Sequence, residues 1–440
     1  MAIIPEPQLF GWDQIDQLGD LERLVLVLKH LPDEELMVTL ERERGKGRDD
    51  YPIRATWNSV IAGIVFQHRG IEELRRELKR NAQLRQVCGF DLLKGEAAVP
   101  PSWAYTRFLR TLFAHEDLIN RIFDKLVNEL CELLPDFGRV MAMDAKGIQS
   151  HGRPRKKGAP TKRDGRRDLD ANWGKKTRKE KKADGTLYEK VVEWFGYKLH
   201  LLVDATYDLP IAWTVTPAAD ADITQAPQLL QQAQQRAPQV IERCEALPSD
   251  KGYDSTELIT SLWDDYRIKP VIAIRDMWKD GEPTRLVNGT RNVVYDHKGT
   301  VWCVCMSTGE QHEMAYGGFE QDRDTLKYLC PACHYGIDCP DKGQCHVNKC
   351  VRIKLGEDRR VFTPMARSSY AWERTYKMRS SVERVNSRID GSFCFEQHYI
   401  RGLQKMRVRC GLALIVMAAM AVGCIKENRE KQMRSLVWAA

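Results

Sequence analysis

The chain has 440 residues, 43% hydrophobic and 29% charged, which is too long for one compact core and too apolar for a largely disordered chain. Its formal charge of +7 is unevenly placed: from Arg153 to Lys182 there are 14 Lys and Arg against four acids, an excess of ten, so the rest of the chain is net −3. One basic segment therefore points to a polyanion at a single place, or else to a solvated loop.

The opening MAIIPEPQLFGWDQ has no basic stretch leading into an apolar core, so no secretory signal is expected and a cytoplasmic location is. Apolar residues at helical spacing in DQLGDLERLVLVLKHL, IEELRRELKRNAQLRQV and VPPSWAYTRFLRTLFAHEDLINRIFDKLVNELCELL predict helices over 14–132, within a helical N-terminal domain of residues 1–136. Helix-turn-helix character, for DNA binding or dimerisation, and plain core packing explain this pattern equally well.

The pattern changes at Arg139. RVMAMD is a short strand ending on Asp144, and 194–204 and 210–217 are two strands joined by a tight turn. DITQAPQLLQQAQQRAP is an amphipathic helix, and CEALPSD is a strand ending on Asp250. DSTELITSLWDDY is a helix capped by Asp254, and KPVIAIR is a further strand. Strands and helices in this order predict an α/β layer fold. The pattern lapses between about Asp276 and Arg374, where TRNVVYDHKGTVWCVC reads as a hairpin. Helix resumes near Ala371. The apolar run Cys410–Cys424, 15 residues long, falls short of the ~18 of a spanning helix and is expected in a core, with no membrane partner.

Asp144 and Asp250 each end an apolar strand, where loops are free to build a site. Tyr376, Arg379 and Glu383 fall on one helical face. Three converging carboxylates repel one another unless they hold cations, and hard divalent ions prefer oxygen ligands. Two such ions about 4 Å apart can clamp a displacement at phosphorus. Spacing alone leaves turn and cap roles open for each Asp, and a solvated face open for the helix.

AMDAKG, GYKLHLLVDATYDLPIAWTVTPAADADIT, LPSDKGYDS and YKMRSSVERVNSR occur in the order found in bacterial insertion-sequence transposases of the DDE type, which the chain resembles over about 137–277 and 371–425. The resemblance implies an RNase H-like mixed sheet with flanking helices. That core follows the helical N-terminal domain and is split into 137–277 and 371–440 by a β-rich, Cys-rich insertion at 278–370. The family's third motif, Tyr-x2-Arg-x3-Glu-x6-Lys, is met by Tyr376, Arg379 and Glu383, with Asp390 at the Lys position. Carried over, Asp144, Asp250 and Glu383 are the catalytic triad that binds Mg²⁺ or Mn²⁺, as two ions. Tyr376, Arg379, Arg384 and Arg388, with Lys175, Lys176, Arg178 and Lys179 of the basic segment, are expected to contact double-stranded DNA: the element's inverted repeats and its target. A homodimer or larger assembly is expected on DNA, and cut-and-paste transposition is the implied activity. A nuclease without strand transfer and a non-catalytic DNA-binding derivative are the alternatives.

Seven of the 13 cysteines lie between Cys303 and Cys350. In a reducing compartment, Cys330, Cys333, Cys339, Cys345 and Cys350, with His334 and His346, are candidate ligands of a structural Zn²⁺, or free structural thiols. Cys303 and Cys305 share a strand face and are expected to pack as buried thiols. His200 is expected to be a satisfied sheet residue, and Trp278 and Trp302 to pack rather than stack on a flipped base.

Overall fold

The structure, a computed structural model, describes residues 19–46, 49–154, 167–181, 186–342, 345 and 347–434, side chains 178–181 and 187 excepted. The expectations for helix at 14–18, for the basic residues at 155–166 and 182, for His346 and for the last six residues lie outside these.

Among the described residues, seven α-helices precede the sheet: α1 Leu21–His30, α2 Glu34–Arg44, α3 Ile53–Val65, α4 Ile71–Arg80, α5 Ala82–Cys88, α6 Ser102–Ala114 and α7 Glu116–Leu133. Helix α7 is amphipathic and buries Leu118, Ile122, Leu126 and Leu130 at the spacing of one face, whereas α3 is buried nearly all round. Both meet the last long helix, as described below.

The mixed sheet follows: β1 Met141–Gln149, β2 Asn172–Lys181, β3 Leu187–Asp204, β4 Leu209–Pro217, then α8 Asp222–Arg236, α9 Pro238–Arg243, β5 Ala246–Ser249, α10 Thr256–Asp264 and β6 Lys269–Ile272. The second half of β3 lies between antiparallel β1 and β4, while β5 and β6 extend the sheet in parallel beyond β1. The central strands are almost continuously apolar because both faces are covered.

Two expectations are corrected here. Strand β3 begins at Leu187, not 194, and its first half pairs residue by residue with β2, so residues 172–181 of the basic segment form a strand, not a loop. Its charges hid it: the backbone ladder is indifferent to composition, and Lys175 stands 4.0 Å from Glu193 across it. The two halves of β3 join at Gly196, where a Cβ would lie 2.1 Å from the Ile148 carbonyl oxygen. Strand β1 likewise continues past Asp144 to Gln149, because β3 pairs with it throughout.

The insertion has its own core. Strands β7 Arg285–Leu286, β8 Val293–Tyr295, β9 Val301–Val304 and β10 Gln311–Glu313 form one antiparallel sheet. Strands β11 Ala315–Glu320, β12 Thr325–Leu329 and β13 Cys350–Lys354 form another, with the one-turn helix α11 Pro331–His334 between β12 and β13. Val293, Tyr295, Val301, Leu326, Tyr328, Ile353 and Phe362 fill the space between them, joined by Trp263 of α10. Trp278 packs there too, edge-on to Tyr295 and under Arg285.

The chain returns through α12 Tyr370–Lys377 and α13 Ser380–Phe393 to α14 Leu403–Lys426. Helix α14 is long and apolar enough to cross a membrane, yet here it is buried against α1, α3, α7 and β4. It approaches α1 so closely that a Cβ on Gly423 would stand 2.6 Å from Leu26.

Candidate active site

Met143 of β1 pairs in parallel with Ser249 of β5, so the next residue on each strand, Asp144 and Asp250, stand side by side where β5 ends. Asp144 accepts the Ala145 N–H at 2.8 Å. Asp250 accepts the Gly252 N–H at 2.6 Å and so caps the turn Lys251–Tyr253. Burial, reinforced by the Asp250 charge, raises the Asp144 carboxyl to about 6, against the pull of the Ala145 N–H, Lys176 and Arg379. Two adjacent carboxylates in a half-buried place lack positive charge. Lys176 of β2 and Arg379 supply only part of it.

The expected single helix around Glu383 is two. Between α12 and α13 the bonds shorten to Met378 N–H to Thr375, Arg379 N–H to Tyr376, Ser381 N–H to Met378 and Val382 N–H to Arg379, a tightened turn that leaves Arg379 at the head of α13. Helix α13 buries Val382, Val385, Ile389 and Phe393 and lies against β1 and β3. Arg379 donates to the Glu383 Oε1 at 2.9 Å and lies over the Tyr376 ring. Tyr376 in turn stacks on Trp372, centroids 4.7 Å apart and planes within 10°. Arg379 is also close enough to Asp144 for their charges to interact. The structure thus brings Asp144, Asp250 and Arg379 together, with Glu383 tied to the same guanidinium.

A hard, all-carboxylate donor set with a charge deficit at Asp144 fits a divalent cation. As they stand, no three His, Cys, Asp or Glu side chains among the described residues form a group that could hold an ion. Glu383 is engaged by Arg379 rather than by the two aspartates.

The other expected contacts are dispersed. Lys175 and Lys176 are exposed on β2; the side chains of Arg178 and Lys179 lie outside the described residues. Arg384 donates to both carboxylate oxygens of Asp208 at 2.7 and 2.8 Å, and the largely buried Arg388 donates to the Asp208 carbonyl, so both are engaged at the β3–β4 turn. His200 is fully buried, 2.9 Å from the Thr216 hydroxyl, and burial lowers it to about 4. Asp204 accepts the N–H groups of Gly138, Thr206 and Tyr207.

Three features escaped the sequence. Lys146, two residues beyond Asp144 on the same strand face, donates to Asp390 of α13. Tyr253, within the quoted DKGYDS, is buried near Asp144, Asp222 and Asp250, and burial holds its phenol protonated. Asp254 is not the cap of α10: Ser255 accepts the Leu258 N–H, while Asp254 is buried and accepts from the Arg275 N–H at 2.7 Å and from Arg360 at 3.0 Å. Arg360 thereby ties the insertion to the turn that follows Asp250. A cavity of about 690 Å³ lies elsewhere, between the N-terminal helices and the start of α14, lined by Ile64, Leu109, Phe113 and Tyr399. It holds none of the three carboxylates.

No curated protein matches the chain. Among solved structures, the piggyBac transposase synaptic complex with hairpin DNA, determined by cryo-EM, aligns with 95% of this chain and 79% of its own, at 11% identity and a TM-score of 0.38. Residues 135–419, well over half of the chain, match the family model described as a transposase DDE domain, and the chain belongs to that family.

Proposed function

We propose that this transposase binds the ends of its own element in double-stranded DNA, cleaves a strand to expose a 3′-hydroxyl and joins that end to target DNA. The observation that carries the reading is the β1–β5 register, which sets Asp144 beside Asp250 beneath the helix that presents Arg379 and Glu383. Three antiparallel strands followed by two parallel ones support an RNase H-like core at 137–277 and 371–440, split by the insertion at 278–370 and preceded by the helical domain of 1–136.

Asp144, Asp250 and Glu383 would hold Mg²⁺ or Mn²⁺. Divalent ions so held supply the charge that favours an ionised attacking hydroxyl and offsets charge gathering at phosphorus. Asp144, raised to about 6, gives up its proton readily near neutral pH when positive charge arrives beside it. Arg379 suits a phosphate oxygen, and in taking one it would release Glu383 toward the aspartates. Tyr376 and Trp372, stacked, offer a flat support beside the backbone. Lys175, Lys176, Arg178 and Lys179 on β2 suit phosphates further along the duplex, and Arg384 and Arg388 brace the turn beneath. A pair of element ends calls for a dimer or larger assembly on DNA, and the activity suits the cytoplasm.

Asp144→Asn, Asp250→Asn and Glu383→Gln test this on a labelled element end. Each is expected to abolish cleavage and leave binding intact; more than roughly a tenth of the parental activity would remove that residue from the site. Cleaved ends that never join target DNA would leave a nuclease. Binding without cleavage by the parent protein would leave a DNA-binding derivative.

A further inference from the structure

The cysteines of the insertion do not gather as their spacing suggests. Cys333 is exposed, its thiol 3.5 Å from the Asn348 carbonyl, and Cys350 lies 3.6 Å from the Arg352 guanidinium on β13. Neither lines the small cavity of about 20 Å³ beside α11, which has room for one atom-sized occupant. Cys330, Cys339 and Cys345 do line it, and Cys303 of β9 closes it from the opposite sheet.

Each sulfur is delivered by backbone structure. Cys330 stands at the head of α11, with its N–H donated to the Lys349 carbonyl at 3.0 Å. The Lys342 N–H bonds the Cys339 carbonyl and the Cys345 N–H bonds the Asp341 carbonyl, so two successive turns present Cys339 and Cys345. Cys305, also at the cavity, is already used: its thiol donates to Asp341 at 3.3 Å.

Asn292 is the independent sign of a ligand. It is buried, and its side-chain amide donates to the Cys345 sulfur at 3.2 Å and to the Cys303 sulfur at 3.5 Å. A neutral thiol accepts a hydrogen bond poorly; a metal-bound thiolate accepts it well, and such outer donors orient the ligands of metal sites.

The geometry points to a tetrahedral structural zinc held by Cys303, Cys330, Cys339 and Cys345, with Asn292, which also donates to the Val304 carbonyl, as hydrogen-bond donor to Cys303 and Cys345. As placed, the sulfurs are not yet grouped around an ion, and capture draws them inward toward the ~2.3 Å of a zinc–thiolate bond. Four thiols each give up a proton as four thiolates bind, and the ion offsets half of the negative charge so formed, leaving a net charge of −2 that the Asn292 amide helps to stabilise. The site joins β9 of one sheet to the segment between β12 and β13 of the other. It therefore holds together an insertion whose own apolar core is small.

The test is zinc content of the full-length protein purified without chelator. About one zinc per chain is expected, lost in Cys303→Ser and in Cys339→Ser and retained in Cys333→Ser and Cys350→Ser. Asn292→Ala should keep the ion at roughly tenfold lower affinity. Because the serine variants risk misfolding, the parent protein, stripped and reloaded with Co²⁺, gives a second reading. Its sulfur-to-cobalt absorption should have the strength of four thiolates. Zinc-free parent protein, zinc retained without Cys303, or zinc lost with Cys333 or Cys350 would each overturn the assignment.

Discussion

Lys146 of β1 and Asp390 of α13 are joined by an ion pair of 2.5 Å, both side chains largely buried. Asp390 lies seven residues beyond Glu383, 20° short of two helical turns, and Lys146 lies two residues beyond Asp144 on one strand face. The pair therefore fixes how the helix carrying Glu383 sits on the strand carrying Asp144. It also gives Asp390 a partner inside the protein.

Asp390→Lys should set two ammonium groups against each other and lower stability by about 1–3 kcal/mol in urea unfolding. Lys146→Asp combined with Asp390→Lys should recover most of that loss. If the double variant is no more stable than the worse single one, the pair does not couple the two elements.

The Asp144 carboxyl, raised from 3.8 to about 6, makes stability depend on pH. In the unfolded chain it ionises near 4, while in the fold it keeps its proton to about 6. The stability it contributes is thus fully present below pH 4 and is lost as pH rises through 6. Asp144→Asn, which never ionises, should be more stable than the parent at pH 7 by on the order of 2–3 kcal/mol. The advantage should vanish by about pH 4. Thermal unfolding across that range, without divalent ions, checks it; an advantage that does not change with pH contradicts the shift.

Arg360→Gln should leave Asp254 buried without its charged partner and cost about 3–5 kcal/mol. Ser255→Ala should cost only about 1 kcal/mol, the ordinary price of a helix cap. Chemical denaturation of the two variants separates them. Equal costs would return Asp254 to the role of a cap.

If the β2–β3 hairpin meets phosphate, replacing Lys175, Lys176, Arg178 and Lys179 with Gln should flatten the slope of log affinity against log salt by up to ~3–4. Fluorescence anisotropy on a duplex of arbitrary sequence measures that slope. An unchanged slope would mark the hairpin as solvated charge.

The apolar strands before Asp144 and Asp250, the turn between β3 and β4 and the helices at either end of the chain were legible because burial writes a period into the sequence. Strand β2 was not, since NWGKKTRKEK owes its place to a backbone ladder with β3. Nor was the choice between Asp254 and Ser255 as cap, because both residue types cap helices and only the fold brings Arg360 to the first. Pairs far apart in the chain, Lys146 with Asp390 and Cys303 with Cys345, leave no local trace. The break at Met378–Arg379 falls in a run with neither Gly nor Pro, the residues that usually announce one.

Helix α14 has a consequence for how the protein is made. Its apolar surface is shared between the N-terminal helices and β4, yet it leaves the ribosome after all of them. Helices α1, α3 and α7 therefore emerge with their inner faces unlined and must wait, through synthesis of the whole sheet and insertion, for the helix that covers them. A nascent chain stalled before residue 403 should bind holdase chaperones, and a fragment cut off from the N-terminal helices would carry a bare segment with the length and composition of a membrane span.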